Sequence, residues 1–279
     1  MRFRKPFLGI VLCLLITSCT SKVALRFLDW QIVWWVEDYV SWDVSQQVEF
    51  DARLKQQLDW HKKTQLPVYG QYLRQLKSDL DQPVSEPLLR KHMEAMRLMW
   101  GTTLNHVADD VVFMLSDLDD EQIEDIVNHL HETIEESEED YFDSNPQKRL
   151  KGKIKRTQKM AKRFVGRLNK EQITLITEWS EGTADNQLAW LENRKKWTVS
   201  LHDALRSRQN VGFEEKIKQL FVNSEYLWDE ADRQRSAENY TAGVELTISL
   251  FNTLTVKQHR HVRETLDDWI ETFEEFSET

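Results

Sequence analysis

Four times along this chain a large apolar residue is followed at once by Asp, Asn or Thr and, three residues later, by Gln. The copies are Trp42-Asp43-Val44-Ser45-Gln46, Leu118-Asp119-Asp120-Glu121-Gln122, Leu168-Asn169-Lys170-Glu171-Gln172 and Leu254-Thr255-Val256-Lys257-Gln258. This is the chemistry of a helix start. The cap side chain accepts from the amide three residues on, and Gln reaches back to the amide of the cap. The apolar residue in front can staple onto the fourth helical position, here Ile123 or Ile173 in the middle copies. The rest of the chain agrees. Its 279 residues include only 8 Gly and 5 Pro, and apolar residues recur at intervals of three and four. The sequence predicts an all-α multi-helix bundle of about nine to ten helices without a sheet. The copies are unequally spaced, which excludes a short-period solenoid.

The first residues carry an address. Arg2, Arg4 and Lys5 precede the largely apolar run Phe7 to Ile16. That pattern is a signal peptide, too short to span a bilayer, which needs about twenty apolar residues. It ends in Ile16-Thr17-Ser18-Cys19, which resembles a lipobox: cleavage before Cys19 and lipidation on it. Thr20 rather than Asp follows, which by resemblance to Gram-negative lipoproteins implies the periplasmic face of the outer membrane. Residues 1–18 then form the signal peptide, 19–22 the lipid tether and 23–279 a helical periplasmic domain. The only cysteines are Cys13 and Cys19, so the mature domain has no thiol for redox or Cys–metal chemistry. Losing residues 1–18 moves the formal side-chain charge from −10 to −13, and an acidic surface argues against nucleic acid as a partner.

Charge is segregated in the middle. No Lys or Arg occurs from Leu98 to Gln147, and Asp119 to Asp143 holds twelve acids; Ser144 to Lys170 then holds eleven bases and no acid. Ser144-Asn145-Pro146 reads as a turn into a new helix. Ile123, Val127, Leu130, Ile134, Ser137 and Tyr141 on one side, and Leu150, Ile154, Thr157, Ala161, Phe164 and Leu168 on the other, keep coiled-coil spacings. The expectation is an antiparallel coiled-coil-like hairpin over 119–168, acids against bases, flanked by lobes 23–118 and 169–279.

Candidate sites are few. Val23 to Val40 is apolar nearly all round, as a buried central helix would be. In that setting Arg26, Asp29 and Asp38, joined by His61, would form a buried polar seam. The other role open to Trp30, Trp34 and Trp35 is contact with the membrane interface, close after the lipid. His129, His131 and Glu135 are not a zincin motif, and histidines two apart on a helix point to different sides. No Glu-x-x-His, phosphate loop or nucleophile elbow occurs. The expectation is no enzyme activity, no metal and no cofactor.

Two resemblances carry further. The copy Leu254-Thr255-Val256-Lys257-Gln258 matches the LTxxQ motif of the Spy-like and CpxP-like periplasmic chaperones and stress sensors; the other three match it in part. The segments Arg26-Phe27-Leu28-Asp29-Trp30, Trp34-Trp35-Val36-Glu37-Asp38-Tyr39, Trp60-His61, Leu66-Pro67-Val68-Tyr69 and Trp190-Leu191-Glu192-Asn193-Arg194 resemble a family of uncharacterised gammaproteobacterial lipoproteins, a domain of unknown function. The second resemblance supports the lipobox and the all-helical fold and supplies no activity. With no catalytic motif in the sequence, the expectation is a non-enzymatic envelope protein, chaperone-like or a stress accessory as the first resemblance implies, with a scaffold or assembly lipoprotein as the alternative. The partners implied are the membrane, through the lipid, and an unidentified protein. A homodimer is compatible with this reading.

Overall fold

The computed structural model describes residues 25–278, and every regular element among them is helical. In chain order these are α1 (Leu28–Glu37), α2 (Val44–Trp60), a π-helical turn (His61–Gln65), α3 (Leu66–Asp79), α4 (Glu86–Ser116), α5 (Asp120–Phe142) and α6 (Pro146–Val165). There follow α7 (Lys170–Gly182), α8 (Gln187–Arg206), α9 (Phe213–Val222), a 3-10 turn (Ser224–Leu227), α10 (Glu230–Asn252) and α11 (Val256–Ser277). The signal peptide, Cys19 and the tether lie outside the described residues.

All four predicted starts are capping boxes. Asp43, Asp119, Asn169 and Thr255 cap α2, α5, α7 and α11, each with its Gln bonded back to the cap amide. The staple forms in one of the two middle copies only. Ile123 is buried in the same cluster as Leu118, whereas Ile173 is exposed and Leu168 packs with Ile176 instead. The π turn has a local cause. Pro67 has no N–H to give, and the Leu66 amide reaches the carbonyl of His61, five residues back.

Three apolar clusters hold the bundle. The first joins Val40 with Leu118, Ile123, Ile126 and Leu130 of the α5 region, Leu201, Ala204 and Leu205 of α8, and Phe213, Ile217 and Leu220 of α9. The second joins Val165, Leu168, Ile176, Leu250 and Val262, with Leu80 against it. The third packs Leu66 on Trp269, Phe273 and Phe276, with Leu25 and Tyr69 at its edge. The 31-residue α4 packs against α2, α9 and α10, and its Val111, Val112 and Leu115 reach the first cluster.

The predicted hairpin is not formed. Asn145 and Pro146 do start α6 as expected, the Asn145 side chain accepting from the Lys148 amide. Beyond the turn, however, α5 packs along α8, and α6 packs on α7 and α11. The acids of α5 find their bases there: Glu138 pairs with Lys195 at 2.6 Å, Glu124 with His202 and Arg206, and Asp120 with Arg208 at 2.9 Å. The reason is the apolar face. Leu201, Ala204 and Leu205 offer Ile123 and Leu130 an unbroken apolar partner, whereas the α6 seam is interrupted by Thr157. Burial is worth about 25 cal/mol per Å2. An exposed ion pair is worth about 0–1 kcal/mol, so burial chooses the partner.

A second correction concerns α1. It contains no buried residue, and Phe27, Trp30 and Trp34 are 51%, 64% and 61% exposed. It meets the bundle through Tyr39 just beyond its end, which packs on the first cluster and against His129, with Trp35 stacked on Tyr39. Apolar residues all round a helix do not secure burial all round.

Candidate interaction surfaces and buried polar locks

The buried polar core is organised by the four Gln residues of the helix starts. Gln46 and Gln122 bond each other in both directions, at 3.1 and 2.6 Å. Each also donates to a carbonyl two residues before the other's cap: Gln46 to Asp117 O and Gln122 to Ser41 O, both at 2.8 Å. Each Oε1 further accepts from its own cap amide. Gln172 and Gln258 repeat the scheme. They bond each other at 3.1 and 2.8 Å, donate to Thr253 O and Arg167 O, and accept from the amides of Asn169 and Thr255. Every lone pair and hydrogen of each side-chain amide is thereby used.

These are two locks, each tying together two helix starts that lie 76 or 86 residues apart. All four Gln are buried, and Gln172 is fully so. Full pairing is what makes such burial tolerable, since an unpaired amide there would cost about 1–3 kcal/mol. Bringing two helix N-termini together also juxtaposes two positive dipole ends. In the first lock, the Asp43 and Asp119 carboxylates offset this. Hydrogen bonds from the Gln46 amide and the Ser45 side chain hold the Asp43 carboxyl below its usual range. In the second lock, Gly166 turns the chain towards Arg167 with φ 76°, a conformation that favours glycine. A side chain there would also meet the ring of His261, 3.2 Å from the Cβ position.

The sequence marked the four starts but not their pairing. Only the identical box chemistry hinted that the Gln residues would meet one another. Because both locks face inward, the boxes work as folding devices and present no side-chain amide to a ligand.

The predicted polar seam is not assembled. Arg26, Asp29 and Asp38 are all exposed on and beside α1, and no ion pair joins them. His61 is half-buried in the π turn, where it meets the edge of Tyr69 with ring centres 5.5 Å apart. Burial alone pushes its pKa down, so it is neutral near pH 7 and has no carboxylate to act with. Beside it, Trp60 stacks on His106 at 3.6 Å. This aromatic cluster braces the π turn against α4.

The buried titratable group that sequence reading missed is His92. It lies 3.1 Å from Asp79, which also receives Lys91 at 3.2 Å. Tyr72 donates to the His92 carbonyl and is pushed up to about 12 by burial and by Asp79. Burial lowers the pKa of His92 despite the carboxylate. The arrangement fastens the end of α3 to the start of α4 across the Leu80–Ser85 connection. Tyr72 is held protonated by that shift, and the arrangement joins the two helices as a clamp.

Concavities are shallow. An open groove of about 540 Å3 runs between α3 and α4, lined by residues including Val68, Tyr72, Gln75 and Met99. Among the described residues no group of three or more His, Cys, Asp or Glu is arranged to hold a metal ion. No helix among them is long and apolar enough to cross a membrane. His129 packs its ring edge-on against Tyr39 at 4.6 Å.

The more informative surfaces are convex. On α1, Trp30 and Trp34 stack 6.5 Å apart with 14° between their planes, and Phe27 precedes them by one turn. On α6, a row of lysines faces outward, and Met160 and Phe164 are exposed on another side of the helix.

Residues 38–233 match a protein family described as a family of unknown function (DUF6279). No curated protein and no solved structure matches the chain. The matched span takes in the first lock entirely and the Gln172 half of the second.

Proposed function

The chain belongs to the DUF6279 family, which carries no assigned activity, and we propose that it is a lipid-anchored envelope protein of a Gram-negative bacterium. In this reading it sits at the periplasmic face of the outer membrane, and its helical body works by binding rather than by catalysis. The observation that carries it is the aromatic ridge of α1. Phe27, Trp30 and Trp34 stand on one face and remain in solvent, although each exposed ring forgoes burial. Phe27 follows Cys19 by eight residues, a distance that extended chain covers in at most about 28 Å. A lipid on Cys19 would therefore hold this ridge within reach of the bilayer surface, the depth at which Trp is favoured. The ridge then acts as a second contact beside the acyl chains.

Cys19→Ala is expected to accumulate as unprocessed precursor and to lose incorporation of a labelled fatty acid, followed by gel mobility and membrane fractionation. Normal maturation with wild-type fractionation would sink the lipoprotein reading.

The exposed apolar groups lie on helix ridges rather than inside an enclosing groove. This favours a scaffold or assembly role, docking on an extended surface, over enclosure of an unfolded client. The chaperone-like or stress-accessory reading is supported by the LTxxQ resemblance. Since the boxes turn inward, client binding would have to use other faces. It predicts that the chain from residue 22 onward slows aggregation of an unfolded client at near-stoichiometric ratio without ATP. Light scattering unchanged across several clients would remove it and leave the scaffold reading.

A further inference from the structure

We infer that the outward face of α6 is a docking surface for a bilayer bearing anionic phospholipid headgroups. The helix carries nine bases and no acid in its 20 residues, on a chain whose formal charge is −10. Lys148, Lys151, Lys155, Lys159 and Lys162 step by 3, 4, 4 and 3, which places them in one row. All five are exposed. Over 14 residues the row runs about 21 Å along the helix.

Elsewhere in the bundle exposed bases meet acids, as Lys91 does Asp79, Arg97 does Glu94 and Arg206 does Glu124. On α6 two half-buried bases are answered, Arg149 by Asp185 and Lys153 by the Thr183 carbonyl and hydroxyl. Among the described residues, the five lysines of the row make no ion pair. A different face of the helix is committed to the fold, since Ala161 and Val165 pack in the second cluster. The row is therefore held rigidly outward.

Three features select the occupant. A row of like charges with no acid needs an anionic partner. Lysine is a compact point charge that suits a diffuse layer of headgroup phosphates, whereas bidentate recognition of one carboxylate or phosphate would call for arginine. A straight row on a convex helix also matches a planar surface better than a folded peptide. The inference rests on the envelope reading for its setting, but its test does not need the lipid anchor.

The test uses the chain from residue 22 onward, which contains every described residue, in flotation with vesicles. Phosphatidylcholine vesicles alone measure whatever the α1 ridge contributes. Vesicles with phosphatidylglycerol added measure the increment due to anionic headgroups. The increment is expected to be present, to fall with salt, and to weaken on the order of 100-fold in a Lys151→Gln/Lys155→Gln/Lys159→Gln variant. Lys55→Gln on α2 should leave it unchanged. Thermal unfolding, unaltered in all of these, separates lost binding from lost fold. An absent increment, or one that survives the triple substitution, overturns the inference. So does self-association that the triple substitution abolishes without any lipid increment, because the occupant would then be a second copy. Failure of the Cys19→Ala prediction would leave this outcome readable on its own.

Discussion

Gln172→Leu is expected to destabilise the protein by about 3–5 kcal/mol, although leucine is close to glutamine in size and is usually welcome in a core. The substitution strips the second lock of its centre. The Asn169 amide loses its acceptor and Thr253 O its donor at half-buried positions, and buried Gln258 keeps an unpaired donor and acceptor. Each such orphan costs about 1–3 kcal/mol, and the gain from burying two more apolar carbons returns about 1–2. A Gln172→Leu/Gln258→Leu double variant should cost clearly less than the sum of the single changes, since removing both partners removes the mismatch between them. Gln172→Leu combined with Gln122→Leu, which lies in the other lock, should be additive. Urea midpoints measured on the full set check this. Strict additivity within a lock, or a single-site loss below about 1 kcal/mol, would mean that the reciprocal bonds carry no weight.

Leu130→Asp should have the largest effect. Leu130 is 5% exposed and belongs to the cluster that joins Val40 and α5 to α8 and α9. The change forfeits about 2–3 kcal/mol of burial. It also places a carboxylate among apolar side chains, where it must either stay charged at a cost of several kcal/mol or take up a proton. A loss above about 5 kcal/mol approaches the whole stability of a typical domain. Hydrogen exchange distinguishes the two possible neighbours of α5. With α8 as the partner, protection should collapse in α5, α8 and α9 together, while α6, held in the second cluster, retains more. Loss confined to residues 119–168 would point to the hairpin arrangement and contradict this core. The exposed α6 lysines provide the contrast, because their replacement should change stability by no more than about 0.5 kcal/mol.

Much of what was local in this chain was legible, though not the π turn at His61–Gln65. Asp43, Asp119, Asn169 and Thr255 could be read as caps because a capping box closes within four residues, and its bonds do not depend on the neighbouring helix. The same holds for Asn145 and Pro146 at the start of α6 and for the all-helical class, which follows from periodicity and the scarcity of glycine and proline. The family resemblance pointed to a domain of unknown function, and the match over residues 38–233 places the chain in one.

The readings that failed required knowledge of which helix lies beside which. The acids of α5 do meet bases, but on α8 rather than α6, because charge rows are interchangeable at long range while apolar faces are not. Arg26, Asp29 and Asp38 stay in water because no residue of α1 is buried. Composition alone does not report how much of a helix its neighbours cover. His92 and Asp79 meet across a connection whose course no motif announces. The two locks lie on the same boundary. Each box was written in five consecutive residues, yet its Gln has one lone pair and two hydrogens left after serving its own cap. Tertiary structure alone decided that these would be spent on a second, identical box 76 or 86 residues away, because only there does burial of one amide satisfy the other.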